Sequence, residues 1–449
     1  MAALVAATAA LATLLVFLVH GETRDYGFDY DDYYFLHPHT MDEVLASFHG
    51  PWDVTGIMVK FYRPLTVVLA ALRFEVFGLN SVAHHTASLV MFAIAATLFA
   101  WLAFRLVERT LVLPLAAAFF IAHPAMPYSL VAWITNQMHL LQILIVLTAL
   151  VWWDAVRARA LGWWLPLFVL AIASFLVKED GIMLLPAIIV LHVLRRLIAE
   201  PTLPPIRISF VAGSMALVAA LVAWRSYVLG DLGGYSQPTA AKAWIYLSST
   251  LSGVYRLVPA DREWQPVASW FATLLPLAAL AAWKWIGKGA RLGLLSGVAL
   301  AVVFSLPFVF AAKPEQVYLV AAGFALTLTA AAAGLFDAAG RAAVARPLRG
   351  IVAVGVIIGI ASFVAVTRAI TRDFEPFGPI VLAHDEIVAT WGFVPPELQD
   401  YLARKREPGA ATRLSANPLD ELTLVTFATH GRDVTPDGIP YMWMAGARS

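Results

Sequence analysis

Of the 449 residues in this chain, 60% are hydrophobic and 14% charged, and the mean hydropathy is +0.75. A soluble domain carries about 45–50% apolar and about 25% charged residues, so the composition excludes an ordinary water-soluble fold. A formal net charge of +1 gives no bulk attraction to nucleic acid, and the absence of cysteine removes disulfides, thiolate catalysis and Cys-type zinc sites.

Apolar runs that can cross a ~30 Å hydrocarbon core, which takes about 20 helical residues, recur along the chain. They are continuous, whereas a β-barrel alternates in polarity, so the expectation is an all-α polytopic membrane protein. The first run, Ala2–His20, has no basic segment before it and no small-residue cleavage site before Glu22, and it reads as a retained helix. Next comes a long loop, Gly21–His84, which opens with GFDYDDYYFL and continues to FYRPLT. Its last part, Arg63–Leu79, is apolar but holds Arg73 and Glu75. Two charges near the centre of a span cost about 5–7 kcal/mol on an insertion scale, so this stretch is predicted to lie flat as an amphipathic helix.

Further spans are predicted at His85–Arg105, Leu111–Ala122, His139–Trp153, Leu161–Val177, Ile182–Leu197, Ile208–Leu229, Val267–Ile286, Leu292–Ala311, Val317–Phe336 and Ile351–Thr367, eleven in all with the first. With Arg63–Leu79 outside the count, one set of loops collects Arg105, Arg109, Arg157, Arg159, Arg195, Arg196, Arg207, Lys284, Lys288, Arg291, Arg341, Arg346 and Arg349. By the positive-inside rule that set is cytoplasmic, which puts the amino terminus inside. The opposite face receives Gly21–His84, His123–Met138, Gly230–Pro266 and the tail. That tail is polar, with helix-like PELQDYLARK and strand-like LTLVTFAT, and reads as a small extracytoplasmic α+β domain over 369–449 behind a membrane unit over 1–368.

The unusual polar residues gather at this outer face. Asp29, Asp31 and Asp32 sit among aromatic residues, where desolvation can tune a carboxylate into a general base or a metal ligand; a hydrated acidic turn is the plainer alternative. Arg63, at the start of the flat helix, suits a two-pronged contact to phosphate or anchoring on a lipid headgroup. Lys178 and Glu179 end one span and begin the turn to the next, where ionisable residues are expensive unless they face a wet cavity or each other. His123, Asn136, Gln137 and His139 are neutral hydrogen-bonding groups suited to sugar hydroxyls, without metal-ligand spacing; His84 and His85 read as satisfied interface residues. Trp133, Trp244, Trp264 and Trp270 lie in or beside the outer loops, as an interfacial belt does. No solenoid-period repeat is visible.

The order of an acidic pair, YRPLT, FGLN followed by His, HP then AWI, KE and a late tyrosine motif resembles the GT-C superfamily of membrane glycosyltransferases. Within it the chain is similar to the O-mannosyltransferase-like proteins that carry tetratricopeptide repeats, over about Met1–Phe336. The resemblance implies amphipathic helices in the first outer loop and an inverting transfer from a polyprenyl-phosphate sugar to a glycan, lipid or protein acceptor. It places the catalytic pair on Asp31 and Asp32, with Asp31 as base, and donor-phosphate contacts on Arg63 and Lys178. Tyr62, Glu179, His85, His123, Gln137, His139 and Tyr318 become substrate-side residues. A multi-pass protein of a bacterial inner-membrane type follows, its active site extracytoplasmic. No cofactor is implied for certain, and a divalent metal ion stays open because only some members of the superfamily use one. The chain departs from the pattern at Ser129, Gln137 and His139, where the family has a glutamate, an arginine and an acidic residue; KPEQVYLV has Gln316 before Tyr318, and the repeats are missing. A transporter would show an inverted repeat and broken helices at mid-membrane, and a non-catalytic scaffold would keep the fold without turnover.

Overall fold

The computed structural model describes residues 2–26, 32, 36, 38–52, 61–78, 80–131, 133–159, 161–230, 264–309, 317–341 and 345–372. Asp29, Asp31, Trp244, Lys313, Glu315, Gln316 and the expected α+β tail beyond Arg372 lie outside those residues. Among the described residues every regular element is helical. The α-helices are α1 (Ala2–His20), α2 (Met41–Ala46), α3 (Pro64–Phe77), α4 (Ser81–Val107), α5 (Val112–Ile121), α6 (Gln137–Val156) and α7 (Leu165–Val177). They continue with α8 (Leu184–Ile198), α9 (Ile208–Leu229), α10 (Gln265–Ala281), α11 (Lys288–Ser305), α12 (Tyr318–Ala339) and α13 (Ala345–Arg372). Eight helical segments are long and apolar enough to cross a membrane, and Val112–Ile121, Gly162–Val177 and Gln265–Ala281 are shorter apolar helices. Helix α13 runs four residues past the boundary expected at 368.

Helix α3 follows from its ends: Pro64 occupies the first turn, where its missing N–H costs nothing, and Gly78 at φ 53° stops it. Fourteen residues span about 21 Å, less than the ~30 Å of a hydrocarbon core. Its Arg73 is buried against α4, where it donates to Ser88 Oγ at 3.2 Å and to the His84 carbonyl. Burial pushes that guanidinium down to about 10 while the charge of Asp32 opposes the shift. Leu72 and Val76 occupy the exposed side of the helix.

The outer loop expected at His123–Met138 packs against the helices: α5 has only 10 residues, about 15 Å, and His123, Met126, Asn136 and Gln137 after it are all buried. Irregular backbone away from water needs partners. Here Ile121 O accepts from His20 at 2.9 Å, Ala122 O from Thr367 at 2.6 Å and Val131 O from His85 at 3.3 Å.

At the opposite end, buried Asp154 near the end of α6 accepts from Arg105 of α4 at 2.6 Å and from Arg195 of α8 at 2.8 Å. Glu200 caps the network, its carboxyl held down to about 2 first by the hydrogen bond from Arg157. Arg109 pairs with Asp337 at 3.1 Å, and Arg341 donates to Trp285 O at the same end.

Helices α11 and α12 cross backbone to backbone. A Cβ on Gly297 would lie 2.6 Å from Gly323 O, and one on Gly323 would lie 2.5 Å from Ala301 N. Such small-residue crossings let helices associate where lipid removes the hydrophobic drive. Gly297→Val is therefore expected to cost about 1–3 kcal/mol by overpacking, whereas Gly355→Ala, with nothing within 4 Å, leaves stability unchanged. Melting of the purified protein in detergent checks both, and equal melting of the two variants would refute the close crossing.

Candidate functional site

The first two turns of α6 and the residues just before them touch most of the candidate residues. Thr135 donates from its backbone N and its Oγ1 to Asp32 Oδ1, both at 2.6 Å, and this fixes the buried carboxylate. Met138 Sδ lies 3.6 Å from Arg63 Nη1. His139 stacks on Tyr318 with ring centroids 4.6 Å apart. Gln142 Nε2 donates to Asp180 Oδ1 at 2.7 Å and to Lys178 O at 3.2 Å, while its Oε1 accepts from the Tyr318 hydroxyl.

The turn Lys178–Gly181 explains why two charges sit side by side at the end of a span. Helix α7 stops at Val177, Lys178 is extended, and a 3-10 turn over Glu179–Met183 leads into α8. This turn doubles back so tightly that a Cβ on Gly181 would lie 2.4 Å from the Ser174 backbone. Only glycine fits there. Thr66 Oγ1 of α3 donates to Val177 O at 2.9 Å and docks α3 on the same turn.

Glu179 then meets two guanidiniums. Arg63 donates to its Oε2 through Nε at 3.1 Å and Nη2 at 3.0 Å, and Arg225 Nη2 of α9 lies 3.6 Å from its Oε1. The Arg63 guanidinium also lies 3.9 Å from the Phe61 ring centroid and 4.8 Å from that of Trp52, which shields it from water. Lys178 Nζ is 3.5 Å from Asp180 Oδ2 and 5.0 Å from the Tyr318 ring centroid. Beside Arg225, Trp224 donates to the Tyr62 hydroxyl at 2.9 Å, and that hydroxyl donates to Phe48 O at 3.1 Å.

Arg63, Lys178 and Arg225 thus face the carboxylates of Glu179 and Asp180. Helix amino ends add to this: Arg63 caps α3, Gln137 opens α6 and Tyr318 opens α12. Partial positive charge at helix amino ends favours anions. Gln137 is 1% exposed and among the described residues neither its Nε2 nor its Oε1 has a hydrogen-bond partner, so a buried amide stands ready to both donate and accept.

The structure brings together Tyr62, Arg63, Lys178, Glu179, His139 and Tyr318, with Gln137 on the same turn of α6 and Asp32 two residues before it on Thr135. His85 instead holds Val131 O, with the Tyr26 ring 6.2 Å away edge-on. His123 lines a separate groove with Phe363, Gln265 and Phe324; burial pushes its imidazole down to about 4, so it is a neutral hydrogen-bonding group at physiological pH. Among the described residues no cluster of three or more His, Asp or Glu could hold a metal ion. Sequence reasoning missed Arg225, Asp180, Gln142 and Thr135. A signal existed for Arg225 and Gln142, which are polar groups inside apolar runs. Compared with protein-family models, curated proteins and solved structures, the chain matches none.

Glu179→Ala strands two guanidiniums and is expected to cost on the order of 3 kcal/mol. Melting in detergent tests this, and a wild-type midpoint would show that the pairs contribute nothing.

Proposed function

We propose that this chain is a GT-C-type membrane glycosyltransferase that transfers a sugar from a polyprenyl-phosphate carrier to an acceptor hydroxyl at the extracytoplasmic face. The observation that carries this reading is the cluster of Arg63, Lys178 and Arg225 beside helix amino ends, with Asp32 fixed by Thr135 three residues before Met138, which touches Arg63. A sugar phosphate leaving group gains negative charge as its bond to the anomeric carbon breaks, and preorganised cations stabilise that charge most where water is excluded. Asp31 takes the proton of the acceptor hydroxyl, the acceptor oxygen bonds to the anomeric carbon from the opposite side, and polyprenyl phosphate departs. Asp32 is tied to Thr135. Gln137 offers its amide to the sugar hydroxyls.

Asp31→Asn is expected to lower turnover about 10²–10⁴-fold, with little change in donor binding, because a base acts only as the proton leaves. Arg63→Ala and Arg225→Ala are expected to weaken binding as well as rate, since a phosphate contact exists before and during bond breaking. The assay is release of polyprenyl phosphate from synthetic polyprenyl-phosphate sugars by the purified full chain. Wild-type turnover in both Asp31→Asn and Asp32→Asn would refute the assignment, and so would failure to consume any such donor.

The topology proposed with it has eleven spans, counting the three shorter apolar helices, with the candidate site outside and the arginine network inside. The chain lacks cysteine, so single cysteines report sidedness directly. Met41→Cys, on exposed α2, should react with an impermeant maleimide in intact cells, and Arg346→Cys only after permeabilisation. The reverse pattern would overturn the orientation.

A further inference from the structure

A second cavity, of about 300 Å³, opens at the arginine-rich end, remote from the candidate site. It lies between the connection from α6 to α7 and the connection from α8 to α9, lined by Arg157, Arg159, Arg207, His192, Trp164 and Phe210. Arg157 is committed to Glu200 and Asp154. Arg159 and Arg207 are exposed, and among the described residues neither makes an ion pair; Arg159 instead lies 5.3 Å from the Trp163 ring centroid. Arg207 also caps α9, whose first N–H groups have no side-chain cap.

The wall of the cavity is built and rigid. His192 donates from Nε2 to Pro204 O at 2.9 Å and pins the loop to α8. This bond fixes the tautomer, so Nδ1 is an acceptor, and it has no partner although the residue is only 2% exposed. Trp164 lies across His192 on one side and edge-on to Phe210 on the other, with centroids 5.5 and 4.7 Å away. Around the rim Trp163, Leu165, Leu197 and Ile208 are exposed, and α9 has only 11% of its apolar window buried. Cationic groups thus meet an uncovered apolar face, the order in which a phospholipid presents phosphate and acyl chains.

We propose that this cavity binds the phosphate headgroup of an anionic phospholipid, with the phosphate between Arg159, Arg207 and the amino end of α9 and the acyl chains along α7 and α9. Basic pockets between membrane helices recognise headgroups in this way. The unpartnered His192 acceptor favours a headgroup that carries hydroxyls, as phosphatidylglycerol does. This inference does not rest on the glycosyl-transfer reading.

Native mass spectrometry of the full chain, released from micelles doped with phosphatidylglycerol, phosphatidylethanolamine or phosphatidylcholine, tests it. The expected result is one phosphatidylglycerol retained in preference to the other two. Arg159→Gln with Arg207→Gln should weaken that binding roughly thirty-fold, the product of two surface arginine contacts, and Arg346→Gln at the same end should not. Equal retention of phosphatidylcholine, an unchanged double variant, or an equal loss in Arg346→Gln would overturn the site. Soluble glycerol phosphate binding the delipidated protein as tightly as phosphatidylglycerol would assign the cavity to a soluble phosphate and overturn the lipid.

Discussion

A charge removed from water must find an opposite charge, and in this bundle Glu179 gathers cations at one end while Asp154, with Glu200, gathers them at the other. Glu179 gathers Arg63 from the start of α3 and Arg225 from α9, while Asp154 gathers Arg105, Arg157 and Arg195 from three places around α4, α6 and α8. Breaking such a pair on one side leaves an uncompensated charge, so each carboxylate fixes several helices at once. Helix α6 runs between the two ends. Its 20 residues, about 30 Å of rise, carry Asp154 near one end and Gln137, Met138 and Gln142 at the other. The position of the candidate site relative to the arginine network is therefore set by one uninterrupted helix.

The same economy shapes the site. Arg63 and Arg225 share Glu179, Lys178 faces Asp180, and no described side chain bonds the Gln137 amide. An anion entering there meets donors already in place, so little reorganisation accompanies binding, which is the condition under which fixed charge assists chemistry most.

Much of the architecture was legible in the sequence because an apolar run of span length is a strong signal. Each of the predicted runs contains a helix, including the shorter Val112–Ile121, Leu165–Val177 and Gln265–Ala281. The charge argument about Arg73 rests on the cost of an unpaired charge. It could not foresee that Ser88 and His84 would receive the guanidinium, because that depends on packing against α4. Composition likewise gave no hint that the chain after Ile121 packs against the helices, since Leu111–Ala122 is as apolar as a full span. Lys178 and Glu179 stood out as adjacent charges. Arg225 is marked only as a polar group inside an apolar run, and its partner Glu179 lies on another element that no local pattern names.

Helix α9 has a property that follows from how it is attached. At its amino end Phe210 packs on Trp164 and Phe168. Toward its carboxyl end the described polar ties to the bundle are Trp224 on Tyr62 and Arg225 on Glu179. Between these points most of its surface faces outward. The helix is thus held by aromatic packing at one end and by an ion pair and one hydrogen bond at the other, so any anion that reaches Arg225 competes with Glu179 and loosens the tie of this helix to the bundle.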